Sequence, residues 1–194
     1  MSSIATLTDP LSTALPPLVV ARYRSRDGLA EVALRTNVWL DGAWWACLDR
    51  TFRAGAGRLV AHWHERTDEV HFVRDGMVHY QLGGKVRTAR TGEVIVFPAG
   101  TVHADPWATQ DGPATVASLL SPAGPEWIQF GMRLGRITRE GPLTRSGQPP
   151  LPVVMKIVHE TGVDILAPGL PATLQRRTAI PALAAVGRLF WSQA

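Results

Sequence analysis

The chain has 194 residues, of which 45% are hydrophobic and 19% charged, and its net charge is +4. This length and composition fit one folded domain with an appendage, and they exclude a disordered chain. The single cysteine, Cys47, excludes a disulfide scaffold and a cysteine-based metal cluster, and it favours a reducing compartment.

The distribution of charged and apolar residues predicts a cytoplasmic protein that binds neither nucleic acid nor a membrane. Arginine supplies nearly all of the 20 basic residues, but the arginines are scattered along the chain without interleaved aromatic residues. The uncharged runs are shorter than the roughly 20 residues that a membrane helix needs. The amino terminus has no basic region before its apolar part, so we expect no cleaved signal peptide.

The pattern along the chain predicts three segments. Residues 1–28 are rich in Ser, Thr and Pro and are expected to form an arm, residues 29–122 a β-barrel, and residues 123–194 an extension whose helices pack on the barrel. Short apolar runs separated by turn residues are typical of an all-β sandwich or barrel. The predicted strands are Val32–Arg35, Trp44–Arg53, Arg58–His64, Glu69–Arg74, Met77–Leu82, Val86–Ala89, Val94–Phe97 and Thr115–Leu120.

One helix is predicted directly after the barrel, and one or two more are predicted after Pro171. The first covers Pro152–Thr161 and ends at Gly162, because glycine is the usual residue after the last turn of a helix. The second covers Ala179–Trp191, with Thr178 as its capping residue. The buried face of this second helix is predicted to consist of three apolar side chains, Leu183, Val186 and Phe190.

Two histidines in a predicted strand are the first candidate metal ligands. Side chains alternate between the faces of a strand, so His62 and His64 point the same way and lie roughly 6.6 Å apart at the backbone. Glu69 begins the next strand, and His103 follows a Pro-x-Gly turn, so both side chains are expected to reach the same interior. Three neutral imidazoles and one carboxylate suit a six-coordinate first-row metal ion with positions left for water, substrate or dioxygen.

These segments resemble the paired motifs of the cupin superfamily, G(X)5HXH(X)4E(X)6G and G(X)5PXG(X)2H(X)3N. The matching residues are His62, His64, Glu69 and Gly76 in the first motif, then Gly92, Pro98, Gly100 and His103 in the second. Two positions depart from the pattern: four residues instead of five separate Gly57 from His62, and Trp107 stands where the second motif ends in Asn. The strong match covers Gly57–Trp107, and a looser likeness extends over Glu31–Leu120.

The resemblance implies an RmlC-like small cupin, which is an all-β double-stranded β-helix, or jelly-roll barrel, with a few flanking C-terminal helices. It implies that His62, His64, Glu69 and His103 bind one divalent transition metal ion. Fe²⁺ is expected first, with Mn²⁺, Ni²⁺ and Zn²⁺ as alternatives. Because such cupins are usually dimeric, we also expect a homodimer.

Three further residues are candidates close to the predicted ion. His71 has the strand parity of Glu69 and is expected to point inward. It is interpreted as a hydrogen-bonding partner of Glu69, an extra ligand, an acid–base group, or a core histidine bonded to the backbone. Tyr80 and Trp107 are predicted to bind substrate, although tryptophans in such positions more often belong to a core or an interface.

The set of three histidines and one glutamate is similar to that of cupin dioxygenases, including the quercetinase-like and acireductone groups. The resemblance implies C–C bond cleavage in a small aromatic, enol or dicarbonyl substrate, with Glu69 accepting the substrate proton and His71 as a second base. Two alternatives stay open. One is an isomerase, cyclase, decarboxylase or lyase that uses the metal ion without oxygen, and the other is a small-molecule-binding cupin that performs no reaction.

Overall fold

Strands make up most of the first two thirds of the chain, and helices follow them. The computed structural model describes residues 17–144 and 149–191. The strands are β1 Val19–Arg24, β2 Ala30–Arg35, β3 Val38–Leu40, β4 Ala43–Phe52, β5 Trp63–His64, β6 Asp68–Asp75, β7 Met77–Leu82, β8 Lys85–Arg90, β9 Val94–Phe97, β10 His103–Ala108, β11 Ala114–Ser121 and β12 Ile165–Leu166. The helices are α1 Pro125–Glu140, α2 Leu151–Thr161, α3 Ala172–Leu174 and α4 Ile180–Phe190, with a π-helical turn at Gln175–Ala179. Within those residues, no helix is both long and apolar enough to span a membrane.

The strands form antiparallel sheets. The largest has the order β1-β2-β4-β11-β6-β9, with β3 paired to β4. A second sheet has the order β10-β7-β8, and β5 pairs with β12. Side chains from the first two sheets share one apolar cluster, so the sheets pack face to face. The predicted all-β jelly-roll barrel with a few C-terminal helices is therefore confirmed.

The inner face of the large sheet carries its side chains in layers along the strands. One layer, called the apolar layer below, consists of Phe52, Ala56, Val73, Val78, Ala89, Ile95, Phe97, Ala108, Ala114 and Val116. A second apolar cluster, at the other end of the strands, joins Ala46 and Leu120 to residues of the helices. Between them lies the polar layer, which consists of Arg50, His62, His64, Glu69, His71, His103, Asp105 and Ser118. The register places His71 beside Ser118 and Arg50 beside Val116, which fixes the border between the two layers.

Strand β1 lies within the segment that the sequence predicts as an arm. It pairs with β2 from Val19 to Arg24, so the large sheet begins before residue 29. Residues 1–16 of the predicted arm lie outside the described residues. The predicted strand Arg58–His64 is reduced to Trp63–His64, with His62 joined to His103 by an isolated bridge.

Helix α1 is an element that the sequence reading did not predict. Pro125 lies in its first turn, where a missing N–H costs nothing, and Gly141 follows its last residue. It packs on the inner face of the large sheet through two glycines. A Cβ atom at Gly135 would lie 2.3 Å from Tyr23 Cδ1, and one at Gly131 would lie 2.7 Å from Leu34 Cδ2. Glycines lower helix propensity, which explains why the pattern did not indicate a helix.

Helix α2 matches the prediction, and Gly162 ends it with a φ of 80°. The start of the last helix was predicted wrongly. Thr178 does not cap it, because the helical chain already runs through the π-helical turn and the Thr178 hydroxyl donates to the Leu174 carbonyl. A Thr side chain that bonds back to the preceding turn is not available to cap a following helix.

The predicted buried face of α4 is wrong at two of its three positions, whereas Leu183 packs against the second apolar cluster. Val186 and Phe190 are 41% and 60% exposed, while Ala184 and Gly187 are buried. A Cβ atom at Gly187 would lie 2.3 Å from the carbonyl oxygen of Pro152 in α2. At this point the two helices approach so closely that only a residue without a side chain fits between them.

Candidate metal centre

The four predicted metal ligands meet inside the barrel. His62, His64, Glu69 and His103 each offer one nitrogen or oxygen atom, and these atoms all lie within 4.8 Å of one another. His64 comes from β5, Glu69 from β6 and His103 from β10, while the backbones of His62 and His103 are joined by hydrogen bonds in both directions. The strand alternation and the turn spacing thus bring together the residues that the motifs indicate.

The centre is almost fully enclosed. The side chains of His64 and His103 are 1% exposed and that of Glu69 is 3% exposed, whereas His62 and the neighbouring Asp105 are each 12% exposed. The side of His62 and Asp105 is therefore the least enclosed.

Three histidines turn the same ring nitrogen toward the centre. Their Nδ1 atoms each lie next to a backbone carbonyl: Val60 at 3.1 Å for His62, Asp164 at 3.2 Å for His64, and Thr101 at 2.8 Å for His103. A carbonyl only accepts, so Nδ1 carries the proton and the neutral ring keeps its lone pair on Nε2. The Nε2 atoms of His64 and His103 are buried without an aligned hydrogen-bond partner among the described residues.

This arrangement fits a cation. His64 Nε2 lies 2.7 Å from Glu69 Oε1, and His103 Nε2 lies 3.8 Å from the same oxygen. Two acceptor atoms at the shorter distance repel each other unless a proton or a cation sits between them, and buried polar atoms are rarely left without a partner. Imidazole nitrogen and carboxylate oxygen are ligands that divalent first-row metals accept.

The charges of the metal-free centre agree with this interpretation. Burial lowers the pKa of His64, but contacts with Asp164 and Glu69 outweigh burial and raise it to about 10. Burial raises the pKa of Glu69, but contacts with His103, His64 and His71 bring it well below its usual range. Glu69 is therefore ionised beside a positive ring, and a divalent ion would replace that proton when it binds.

His71 points inward, as its strand parity indicates. Its Nδ1 atom lies 3.0 Å from Arg50 Nη2 and 2.9 Å from Ser118 Oγ. A guanidinium only donates, so Nδ1 is the acceptor and the ring proton is on Nε2, which lies 3.1 Å from Glu69 Oε2. Burial and the charge of Arg50 lower the pKa of His71, which keeps the ring neutral.

This geometry favours one of the interpretations of His71. The Nε2 atom of the ring lies 3.1 Å from Glu69 Oε2 without an aligned hydrogen bond, so the ring is a close polar neighbour of that carboxylate. The lone pair of Nδ1 is engaged by Arg50, so the contacts do not support the predicted role of His71 as a second base, and the proton on Nε2 argues against an extra ligand.

Sequence reasoning missed two charged residues of the polar layer. Arg50 Nη1 donates to Asp105 Oδ2 at 2.6 Å, and Arg50 also donates to Ser118 Oγ through Nε and Nη2. Asp105 is two residues from His103 on β10, so strand alternation alone predicts that both point inward. Arg50 lies on β4 between apolar residues of the same face. A charged residue on an otherwise apolar strand face could have indicated its role from the sequence.

The two predicted substrate-binding residues lie in different places. Tyr80 is on the inner face of β7, with its ring 5.9 Å from that of Phe97, which stacks on His103 at 4.3 Å. Trp107 contacts His79 and the guanidinium of Arg58, at 5.8 and 5.1 Å between group centres.

A bulge in β10 explains the position of Trp107. Between Ala104 and Trp107, β10 advances by three residues while β7 advances by two, so the alternation reverses after Asp105. Asp105 therefore faces inward with His103, whereas Trp107 faces outward with His79. This placement does not support the prediction that Trp107 lines the pocket of the ion.

Comparison with known proteins agrees with this description. Residues 49–120 match the family model for a cupin domain, and the matched stretch contains all four predicted ligands. The matched stretch is therefore a cupin domain. No curated protein matches it.

Several solved structures are similar over the barrel. KdgF from Halomonas sp. is 21% identical over 54% of this chain and 89% of that chain, with a TM-score of 0.45. A cupin sugar phosphate isomerase from Silicibacter pomeroyi is 17% identical over 54% and 72%, with a TM-score of 0.44. An RmlC-like cupin from Shewanella frigidimarina is 17% identical over 60% and 93%, with a TM-score of 0.43.

Proposed function

We propose that this chain is a metal-dependent dioxygenase that cleaves a carbon–carbon bond in a small aromatic, enol or dicarbonyl compound. One divalent ion, Fe²⁺ before Mn²⁺, Ni²⁺ or Zn²⁺, is bound by His62, His64, Glu69 and His103. The observation that carries the proposal is the convergence of imidazole Nε2 atoms and Glu69 Oε1 on one buried point, where the Nε2 atoms of His64 and His103 have no aligned hydrogen-bond partner among the described residues.

The donor set determines which chemistry is proposed. A redox-active ion bound there would act as a Lewis acid toward an enolate or catecholate oxygen and would provide the place for reaction with dioxygen. The chain itself holds His64, Glu69 and His103 on β5, β6 and β10, with His62 in the bridge that precedes β5, and it leaves His62 as the most exposed of the four. Tyr80 and Phe97 lie on the inner face and are proposed to contact the apolar part of the substrate.

Glu69 is the proposed proton acceptor. Its Oε1 atom faces the centre, and its Oε2 atom lies 3.1 Å from His71 Nε2. A carboxylate held at one oxygen keeps its position while the other oxygen exchanges a ligand for a proton. His71 is therefore proposed as the residue that positions Glu69 rather than as a base.

We further propose that the enzyme is a homodimer and is located in the cytoplasm, as the sequence indicates. Its partners are a small-molecule substrate and oxygen. The mass of the protein in solution, measured by light scattering, tests the dimer. A mass equal to that of one chain would contradict it.

The activity is tested with an oxygen electrode on protein loaded separately with Fe²⁺, Mn²⁺ and Ni²⁺. The substrates are a panel of catechols, flavonols, enols and 1,2-dicarbonyl compounds. We expect oxygen uptake with at least one combination, and none with the His62→Ala variant. No uptake with any of them would overturn the dioxygenase. Turnover of the same compounds without oxygen would instead support the isomerase or lyase alternative.

A further inference from the structure

A second carboxylate faces the metal centre. The Asp105 side chain is 12% exposed, and its Oδ1 atom has no hydrogen-bond partner among the described residues. This oxygen lies 3.6 Å from His62 Nε2 and 3.8 Å from His103 Nε2. These two nitrogens are among the atoms that converge on the centre, so Asp105 Oδ1 borders the same point in space.

The fold holds this carboxylate in place. Asp105 is two residues from His103 on β10 and points inward with it, and Arg50 Nη1 donates to the other carboxylate oxygen, Oδ2, at 2.6 Å. Arg50 is itself fixed by Ser118, which accepts from its Nε and Nη2 atoms. Thus one oxygen of Asp105 is anchored and the other is left directed at the centre. The ion pair with Arg50 involves only Oδ2, so it leaves Oδ1 as a buried oxygen without a partner. Buried polar atoms without a partner are rare in native structures.

We propose that Asp105 is a fifth protein ligand of the ion, through Oδ1; this inference rests on the proposed metal site. Ligand atoms at about 2.1 Å from a six-coordinate ion are about 3 Å apart when adjacent and about 4.2 Å apart when opposite. The distances of 3.6 and 3.8 Å from Asp105 Oδ1 to the two nitrogens fall between these limits. A small contraction around an ion brings all three atoms into adjacent positions.

A fifth ligand changes which metal ion the centre binds best. Two carboxylates neutralise a divalent ion, which lowers the cost of keeping its charge in a closed barrel. Three nitrogens and two oxygens suit octahedral Mn²⁺ or Fe²⁺ better than Zn²⁺, which is usually bound tetrahedrally at closed sites. One of six positions then remains for an exchangeable ligand, on the exposed side of His62 and Asp105.

The direct test is a high-resolution crystal structure of the wild-type protein loaded with Mn²⁺. We expect Asp105 Oδ1 at about 2.1 to 2.4 Å from the ion. A separation above about 3 Å, with the ion held by the four other residues, overturns the fifth ligand and leaves the metal site standing. If those four residues hold no ion, the proposed function falls together with this inference.

A solution measurement gives a second readout, with a matched control. Asp49 is the neighbour of Arg50 on β4 but faces the other way, where it pairs with Arg35 and Arg74. We expect Asp105→Ala to weaken Mn²⁺ binding by more than about 100-fold, beyond the 10- to 100-fold loss typical of residues that only support a ligand.

In the same samples, water-proton relaxation counts the exchangeable waters on bound Mn²⁺. We expect one in wild type and in Asp49→Ala, and one more in Asp105→Ala at saturating Mn²⁺. The same number of waters in Asp105→Ala as in wild type would contradict the proposal.

Discussion

Two layers of the barrel interior are equally buried but are built from opposite chemistry. Val116 and Ser118 are two residues apart on β11, share one face, and are 0% and 1% exposed. Val116 belongs to the apolar layer, in which each buried Å² contributes roughly 25 cal/mol. Ser118 belongs to the polar layer, where the desolvation of charged groups offsets most of what their pairing contributes. The comparison indicates that the apolar layer stabilises the barrel and that the polar layer exists for what it binds.

The largest effect is expected where a charge in the polar layer loses its partner. Arg50→Met leaves Asp105 buried and uncompensated, and we expect the free energy of unfolding of the metal-free protein to fall by about 3 to 5 kcal/mol. Bound Mn²⁺ should reduce this loss, because the ion then compensates Asp105. Urea unfolding with and without Mn²⁺ measures both values.

The control for Arg50→Met is Arg24→Met, which breaks a surface pair with Glu31. Arg24 is 68% exposed, so this change should cost no more than about 1 kcal/mol. Equal losses in the two variants would contradict the distinction between a buried polar layer and the surface.

In the apolar layer, we expect a smaller loss in the free energy of unfolding and no change in metal content. Val116→Ala removes two buried methyl groups and leaves a cavity, which should cost about 2 kcal/mol. Its metal content should equal that of wild type, because no ligand contacts are lost. The same urea experiment and elemental analysis check both values, and a variant that binds no metal would show that the two layers are not separable.

A substitution at the contact of α1 with the large sheet should reduce stability less than Val116→Ala does. At Gly135 an added Cβ atom would meet the Tyr23 ring at 2.3 Å, so Gly135→Ala should cost about 1 to 2 kcal/mol after the gain in helix propensity. Gly112→Ala is the matched control, since nothing lies within 4 Å of its added atom. Thermal unfolding measures both, and equal melting temperatures would argue against a close helix–sheet contact.

The smallest effect at neutral pH concerns the same tyrosine. Burial raises the pKa of Tyr23 from 10.0 to about 12, while the charge of Arg50 lowers it somewhat. Between these values the unfolded chain loses its phenolic proton and the folded chain keeps it. The contribution of Tyr23 to the free energy of unfolding is therefore fully present below pH 10 and falls as the pH rises toward 12. Tyr23→Phe should lack this component.

The difference between wild type and Tyr23→Phe in unfolding free energy, followed from pH 9 to about pH 12, isolates that group from the other residues that titrate there. Parallel curves for the two proteins would contradict the expectation. The apolar layer contains no titratable side chain, so Val116→Ala should cost the same at each pH.

The sequence predicts those features that depend on short spacing. Strand parity and the turns before His103 were sufficient to place His62, His64, Glu69 and His103 at one point, and the glycine after α2 marked the end of that helix. His62, His64 and Glu69 lie close together in the sequence, so local rules were enough for them, and the paired motifs of the family added His103.

Features that depend on long-range contact were not predictable in the same way. Arg50 meets Asp105 only because β4 and β10 face each other across the barrel, and no spacing within the sequence records this. The bulge in β10 reversed the expected direction of Trp107. In α1 and α4, small residues occupy part of the buried side, which weakens the apolar stripe that helix periodicity detects. These residues are Gly131 and Gly135 in α1 and Ala184 and Gly187 in α4.

The central claim is tested most directly by the metal content per chain of protein purified without added metal, measured by elemental analysis. We expect one transition metal ion per chain in wild type and in His79→Ala, whose ring bonds to Thr88 on β8 away from the polar layer, and almost none in His62→Ala. Equal metal content in His62→Ala and wild type, or none in wild type after incubation with Fe²⁺ or Mn²⁺, would contradict the account.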